Sequence, residues 1–139
     1  MSAEDHKALF RYYFNEGTNK GDLSVVEKVF AADYIHHDPA NVDAIGGMED
    51  VRRHITTLRS AFPDVAFHIQ QEIVDGDDIV VRWNATGTHT GDYFGIPATG
   101  KSFNITGMNH WQMGADGKTV EGWVSRDDMG LMRQLGLMG

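Results

Sequence analysis

The sequence has 139 residues, of which 41% are hydrophobic, and 20 acidic against 12 basic residues give a formal net charge of -8. This length predicts one compact domain, and the negative charge without any basic run makes nucleic acid an unfavourable partner. The absence of cysteine excludes disulfides, thiolate nucleophiles and sulfur-ligated zinc. The N-terminal residues do not read as a signal sequence and no stretch has membrane-spanning length, so we expect a soluble, cytoplasmic protein without a membrane partner.

Three helices are predicted in the first half of the chain. In residues 3–16 apolar side chains recur at every third or fourth position, which is typical of a helix with one buried face. Residues 17–21 interrupt it, and Asp22 is placed to cap a second helix that ends near Ala32. A third helix carries apolar residues from Val51 onward and ends before Pro63, whose ring cannot continue the hydrogen-bond ladder.

Beyond this proline the apolar period changes from about four to about two, which indicates strands. Four strands are predicted, at residues 65–74, 79–89, 102–113 and 119–127, and a last helix at residues 128–135. Asp-Gly signals in the first and last connections predict antiparallel hairpins. Helices followed by a curved antiparallel sheet give an α+β fold in which helices cover one face and enclose a cavity for a small molecule.

The Asp-Gly turn of the last hairpin sets a register that predicts one wall of this cavity. Counting outward from the turn, one face of the ladder carries Thr106, Met108, His110, Gln112, Glu121, Trp123, Ser125 and Asp127. Met108 and Trp123 suit a pocket wall better than a solvated surface, and a carboxylate and an imidazole on one wall can transfer protons. We therefore predict Asp127 and His110 as catalytic residues, and Met108, Trp123 and Ser125 as ligand-binding residues.

The loop between the second and third strands is expected to add to the same cavity. It spans residues 90–100 and contains several glycines, and we expect Tyr93, Phe94 and Ile96 to turn inward. Phe94 is accordingly a further predicted ligand-binding residue.

Two of these residues also have structural interpretations. Asp127 stands where a residue caps the last helix, and Asp128 competes for that position, so either of them can be the one that enters the cavity. His110 can instead be a core histidine that is hydrogen-bonded across the ladder.

The remaining histidines do not predict a metal site. His36 and His37 point in opposite directions on an extended chain and cannot bind one ion together, so one of them faces inward. His6, His54 and His68 are assigned to exposed or structural positions. No other spacing favours a metal, and no cofactor is predicted.

The run GTHTGDYFGIPATGK at residues 87–101 strongly resembles the signature loop of the SnoaL-like polyketide cyclase (ester cyclase) family. The stretch from Trp123 to Asp127 and the run GLMRQLG at residues 130–136 are similar to the same family, and the likeness extends over nearly the whole chain. It implies that residues 1–139 form a single SnoaL-like domain with the cone-shaped, nuclear-transport-factor-like (cystatin-like) fold, usually as a homodimer.

The resemblance also implies an activity and residue roles. In this family an acidic residue removes a proton from an activated carbon of a polyketide, and an intramolecular aldol addition then closes a ring without a cofactor. The resemblance implies that Asp127 is the acid/base residue, that His110 assists it and that His37 lies at the cavity mouth. The expected ligand is a small hydrophobic or aromatic molecule such as a polyketide.

Other functions on the same fold remain open at this point. An isomerase, a hydrolase or a hydroxylase could use the same cavity, and a non-catalytic ligand-binding protein could do without any acid/base residue. Replacing the catalytic carboxylate by an amide separates the last alternative from the others, since a binding protein tolerates it.

Overall fold

The computed structural model describes residues 2–41 and 46–138. Its helices are α1 (Ala3–Tyr12), α2 (Ser24–Val29), α3 (Met48–Ala61) and α4 (Asp128–Gln134), and a π-helical turn at Tyr13–Thr18 follows α1. Its strands are β1 (Phe30–His37), β2 (Ala66–Asp75), β3 (Asp78–Thr88), β4 (Ser102–Met113) and β5 (Thr119–Arg126). Within these residues no helix combines the length and the apolar character needed to cross a membrane.

The five strands form one curved sheet in the order β1-β5-β4-β3-β2, and the helices pack against one face of it. The predicted α+β class is confirmed, and each of the four predicted strands is present to within a residue at either end. The expectation of a wholly antiparallel sheet is wrong, because β1 lies parallel to β5. The predicted second helix stops at Val29, and Phe30 already has extended backbone angles because β5 offers β1 a hydrogen-bonding edge.

Apolar side chains on alternate positions of β3 identify the inner face of the sheet. Ile79, Val81 and Trp83 are buried, whereas Arg82 between them is exposed. On the helical side, the ring of Phe10 stacks on Trp111 of β4 with centroids 4.0 Å apart. Burying each side chain of this size stabilises the fold by roughly 1.5–3 kcal/mol, so this face, with the helices on it, carries the core.

A glycine in the middle of β4 makes room for one of these side chains. Gly107 pairs with Trp83 across the β3–β4 ladder. A Cβ atom at Gly107 would lie 2.3 Å from the Trp83 ring, which is far closer than any van der Waals contact. The strand therefore needs glycine here so that the indole can lie flat against its backbone.

The predicted register of the last hairpin is confirmed. Met108 lies opposite Ser125, and His110 lies opposite Trp123. The turn itself is longer than two residues, since the Gly114 N–H donates to the Lys118 carbonyl and a bulge follows Gln112.

Candidate active site

The cavity lies between the helices and the inner face of the sheet. Its walls are mainly aromatic, and they include Phe14, Phe30, Phe67, Trp83, Phe103 and Trp111. Its polar groups include those of Tyr34, His36, Asp38, His54, Asn109 and Arg126. The free space is about 50 Å³, which is room for a few water molecules. A larger ligand therefore requires the wall to open.

Asp38 and Arg126 form a buried ion pair at this cavity. Arg126 Nη1 donates to Asp38 Oδ2 over 2.9 Å, and the two side chains are 12% and 4% exposed. Arg126 Nε donates to Asp128 Oδ1 over 3.0 Å, and the Ala40 N–H donates to Asp38 Oδ1. Burial works against the charge on Arg126, but the hydrogen bond to Asp38 and the charges of Asp38 and Asp128 together outweigh it and raise the pKa of the guanidinium. The cavity thus holds a permanent cation beside a fixed carboxylate.

His36 reaches the cavity from β1. Its Nδ1 is 2.9 Å from the hydroxyl oxygen of the buried Tyr34. Burial lowers the pKa of His36 although Asp38 and Asp50 act in the opposite direction, so the imidazole is neutral at neutral pH. A neutral imidazole offers one donor and one acceptor nitrogen.

His54, on α3, also lines the cavity. The sequence had predicted an exposed or structural position for this residue instead. Burial, helped by the nearby Arg126 charge, lowers the pKa of His54 to about 3. Its ring nitrogens make no hydrogen bond to any other described residue. A neutral imidazole is therefore available to a ligand.

Asp127 lies outside the cavity, contrary to the prediction. Its Oδ1 accepts the Gly130 N–H over 2.8 Å at the start of α4, so the capping alternative is the one observed. Asp128 does not take its place in the cavity wall, because its carboxylate pairs with Arg126.

His110 also lies outside the cavity and is bound across the ladder. Its Nε2 is 2.8 Å from Asp78 Oδ1, and its ring stacks on Trp123 with centroids 4.8 Å apart. The expected hydrogen bond across the ladder is therefore observed, but the side chain is 42% exposed and not part of the core. The two predicted catalytic residues share the outer face of the sheet, where they cannot reach an enclosed ligand.

The predicted ligand-binding residues lie outside the cavity as well. Trp123 and Met108 are on the outer face, 37% and 49% exposed. His37 stacks on Trp123 and pairs with Glu121 at 2.7 Å, so His36 is the inward member of the two neighbouring histidines.

Phe94 and Ser125, the remaining predicted ligand-binding residues, also lie outside the cavity. Phe94 is 62% exposed at a φ of 49°, although its neighbour Tyr93 is buried at the cavity as expected. Met108, Ser125 and Asp127 do come together, but they line an open depression on the outer face.

The residues at the cavity can bind and exchange protons with a carbonyl compound. Asp38 is the only carboxylate among the described residues that line the cavity. Arg126 and the neutral histidines can donate hydrogen bonds to oxygen, and the aromatic walls exclude water, which strengthens such interactions. Within residues 2–41 and 46–138, no group of three or more His, Asp or Glu side chains is arranged to hold a metal ion.

Solved structures with the same fold cover almost the whole chain. TsrD from Streptomyces laurentii superposes with a TM-score of 0.89 at 26% identity, covering 99% of each chain. AclR, a proposed hydroxylase from Streptomyces galilaeus, gives 0.85 at 25% identity, covering 99% of this chain and 89% of its own. IdmH, a proposed polyketide cyclase from Streptomyces antibioticus, gives 0.82 at 27% identity, covering 94% and 97%. Comparison with curated proteins finds no match.

The family predicted from the signature loop is confirmed by these comparisons. The fold is of the nuclear-transport-factor-like type shared by these neighbours, and the family and the neighbours together indicate a cyclase-type enzyme. The family model of SnoaL-like polyketide cyclases matches residues 8–135. The chain therefore belongs to the SnoaL-like polyketide cyclase family.

Proposed function

We propose that this protein closes a ring in a small β-polyketone by intramolecular aldol addition, using proton transfer by its own side chains and no cofactor. The observation that carries the proposal is the buried cluster of Asp38, Arg126, His36 and His54 at an aromatic-walled cavity. A carbon between two carbonyl groups is acidic enough for a carboxylate base, so the protein mainly has to position the reacting ends. The small cavity favours a short chain over a substrate with several fused rings.

In this mechanism Asp38 is the acid/base residue. Its carboxylate takes a proton from a carbon between two carbonyls, and Arg126 and His36 donate hydrogen bonds to the enolate oxygen that forms. The carbanion then attacks a second carbonyl carbon of the same molecule, and the new alkoxide takes the proton back from Asp38. The apolar walls hold the chain folded and keep water from the enolate.

A β-tetraketone provides a direct test. Nonane-2,4,6,8-tetraone closes between C7 and C2 and loses one water to give 2,4-dihydroxy-6-methylacetophenone, which chromatography separates from the substrate. The wild type should accelerate this closure, and Asp38→Asn should lower turnover by about two to four orders of magnitude.

The matched control is Asp127→Asn. Asparagine also caps helices, so this variant should fold and keep full turnover. A wild type that is no faster than buffer would refute the proposal. Loss of turnover in Asp127→Asn with none in Asp38→Asn would return the acid/base role to the outer face. Tight binding of the tetraketone without closure would identify a ligand-binding protein.

The similarity to AclR supports hydroxylation as a second candidate function. The same incubation in air with an added two-electron reductant distinguishes it, because a hydroxylated product is one oxygen atom heavier than the substrate, whereas the aldol adduct has the same mass before it loses water.

A further inference from the structure

Tyr34 has a hydroxyl group with two neighbours that constrain its proton. His36 Nδ1 lies 2.9 Å from the oxygen. The Trp111 indole ring packs beside this hydroxyl and offers it no acceptor, because an indole N–H can only donate. Burial raises the pKa of Tyr34, so the group is a phenol with one proton at neutral pH. Because the hydroxyl is buried and makes no hydrogen bond to another described residue, the phenol proton points at His36 Nδ1.

This arrangement selects one tautomer of His36. When Nδ1 accepts the Tyr34 proton, a neutral imidazole must carry its own proton on Nε2. Nε2 makes no hydrogen bond to any other described residue, and His36 lines the cavity. The nitrogen that is left for a ligand is therefore a donor.

Gly122 provides an independent observation for the same arrangement. It pairs with His36 in the β1–β5 ladder and with Trp111 in the β4–β5 ladder. A Cβ atom at this position would lie 2.2 Å from the Tyr34 hydroxyl oxygen and 2.6 Å from the Trp111 ring. The absence of a side chain at Gly122 is what allows the two side chains to meet beside His36.

We infer that Tyr34 is a positioning residue that holds His36 as the Nε2–H tautomer, so that His36 donates to a carbonyl oxygen of the substrate and cannot serve as its base. The role at a carbonyl rests on the proposed function, whereas the tautomer does not. It assigns the proton acceptor to Asp38 or His54, and it predicts that substrates present a carbonyl or enolate oxygen to β1.

The tautomer can be measured without a substrate. In protein labelled with ¹⁵N-histidine, the two ring nitrogens of His36 have distinct shifts according to which one carries the proton, and His36→Gln identifies the signals by their loss. The wild type should show Nε2 protonated and Nδ1 unprotonated. In Tyr34→Phe, which removes only the hydroxyl, the two tautomers should mix.

The matched control is Tyr93→Phe, since Tyr93 is another buried tyrosine at the cavity and makes no side-chain hydrogen bond to a described residue. It should leave the His36 signals unchanged. A wild type with the proton on Nδ1 would overturn the inference, and so would unchanged His36 signals in Tyr34→Phe. If Tyr34→Phe does not fold, the wild-type spectrum alone decides.

The turnover assay keeps the two proposals apart. Tyr34→Phe should lower the closure of nonane-2,4,6,8-tetraone about tenfold, equivalent to about one hydrogen bond, through kcat and not through KM. An inactive wild type with the Nε2–H tautomer would refute the proposed function and leave the inference about the His36 tautomer standing. An active wild type with the Nδ1–H tautomer would do the reverse.

Discussion

Replacing Arg126 by methionine should lower the free energy of unfolding by about 3–4 kcal/mol, because it leaves a carboxylate buried without its partner. The Asp38 side chain is 4% exposed, so water cannot take the place of the guanidinium, and this charged hydrogen bond should account for about 3 kcal/mol. Asp128 is 34% exposed and behaves more like a surface partner, which adds roughly 0.5 kcal/mol. Methionine fills much of the same volume as arginine, so the loss of stability measures the removal of the positive charge and not the creation of a cavity.

Urea unfolding followed by tryptophan fluorescence measures this loss, and the melting temperature should fall by roughly 12–15 °C. The control is Lys20→Met, which breaks an ion pair of similar length, 3.0 Å to Glu16, between side chains that are 66% and 37% exposed. It should lower the free energy of unfolding by less than about 0.5 kcal/mol. Adding Asp38→Asn to Arg126→Met should restore part of the stability, since no buried charge then remains. Equal losses for Arg126→Met and Lys20→Met would refute the reasoning.

Three further predictions concern packing, assembly and pH. Gly107→Ala should lower the free energy of unfolding by about 1–3 kcal/mol, because the new methyl group would lie 2.3 Å from Trp83. Gly17→Ala, whose added carbon meets its neighbours at 3.5 Å, should change it by less than about 0.5 kcal/mol, and equal urea midpoints would contradict this. We expect a homodimer formed through the outer sheet face, so light scattering should report a dimer for the wild type and a monomer for Trp123→Glu, and a monomeric wild type would be evidence against it. Burial lowers the pKa of His54 from 6.5 to about 3, so the unfolded chain takes up this proton first and stability declines as pH falls below about 6.5, by up to about 1.4 kcal/mol per pH unit. Denaturant unfolding between about pH 6.5 and 5 should show a flatter decline for His54→Gln, and parallel curves would contradict the assignment.

The order of helices and strands could be predicted because each segment has a clear apolar period and clear turn residues. The register of the last hairpin also followed from the sequence, since the pairing of His110 with Trp123 is the one observed. Register depends on local turn chemistry, which a single sequence carries.

The face of that hairpin was assigned wrongly, and this one error moved five of the seven predicted site residues out of the cavity. Neighbouring residues of a strand point to opposite faces. With the correct register but the wrong face, His110 was predicted at the cavity in place of Asn109, and Asp127 in place of Arg126. The signal that could have decided the face lies on β3, where Ile79 and Trp83 alternate with Arg82. Apolar side chains on the neighbouring strand define the inner face more reliably than a few polar groups that look reactive.

The residues brought by β1 and α3 could not be found from spacing. Asp38 and Arg126 are 88 positions apart, and their pairing depends on the parallel contact of β1 with β5, which has no turn signal in the sequence. His54 lies on a helix, where the side that faces the cavity depends on how α3 sits against the sheet.

The parallel pairing of β1 with β5 also bears on when the cavity can form during synthesis and folding. β1 emerges from the ribosome well before β5, and the guanidinium that pairs with Asp38 follows that residue by 88 positions. Until that segment is made, the edge of β1 and the carboxylate of Asp38 have no partners there. Contacts between such distant positions form slowly, because a long loop must close first. The part of the cavity that holds Asp38 and Arg126 should therefore be the last part of the fold to assemble, after the β2–β3–β4 meander has formed from local contacts.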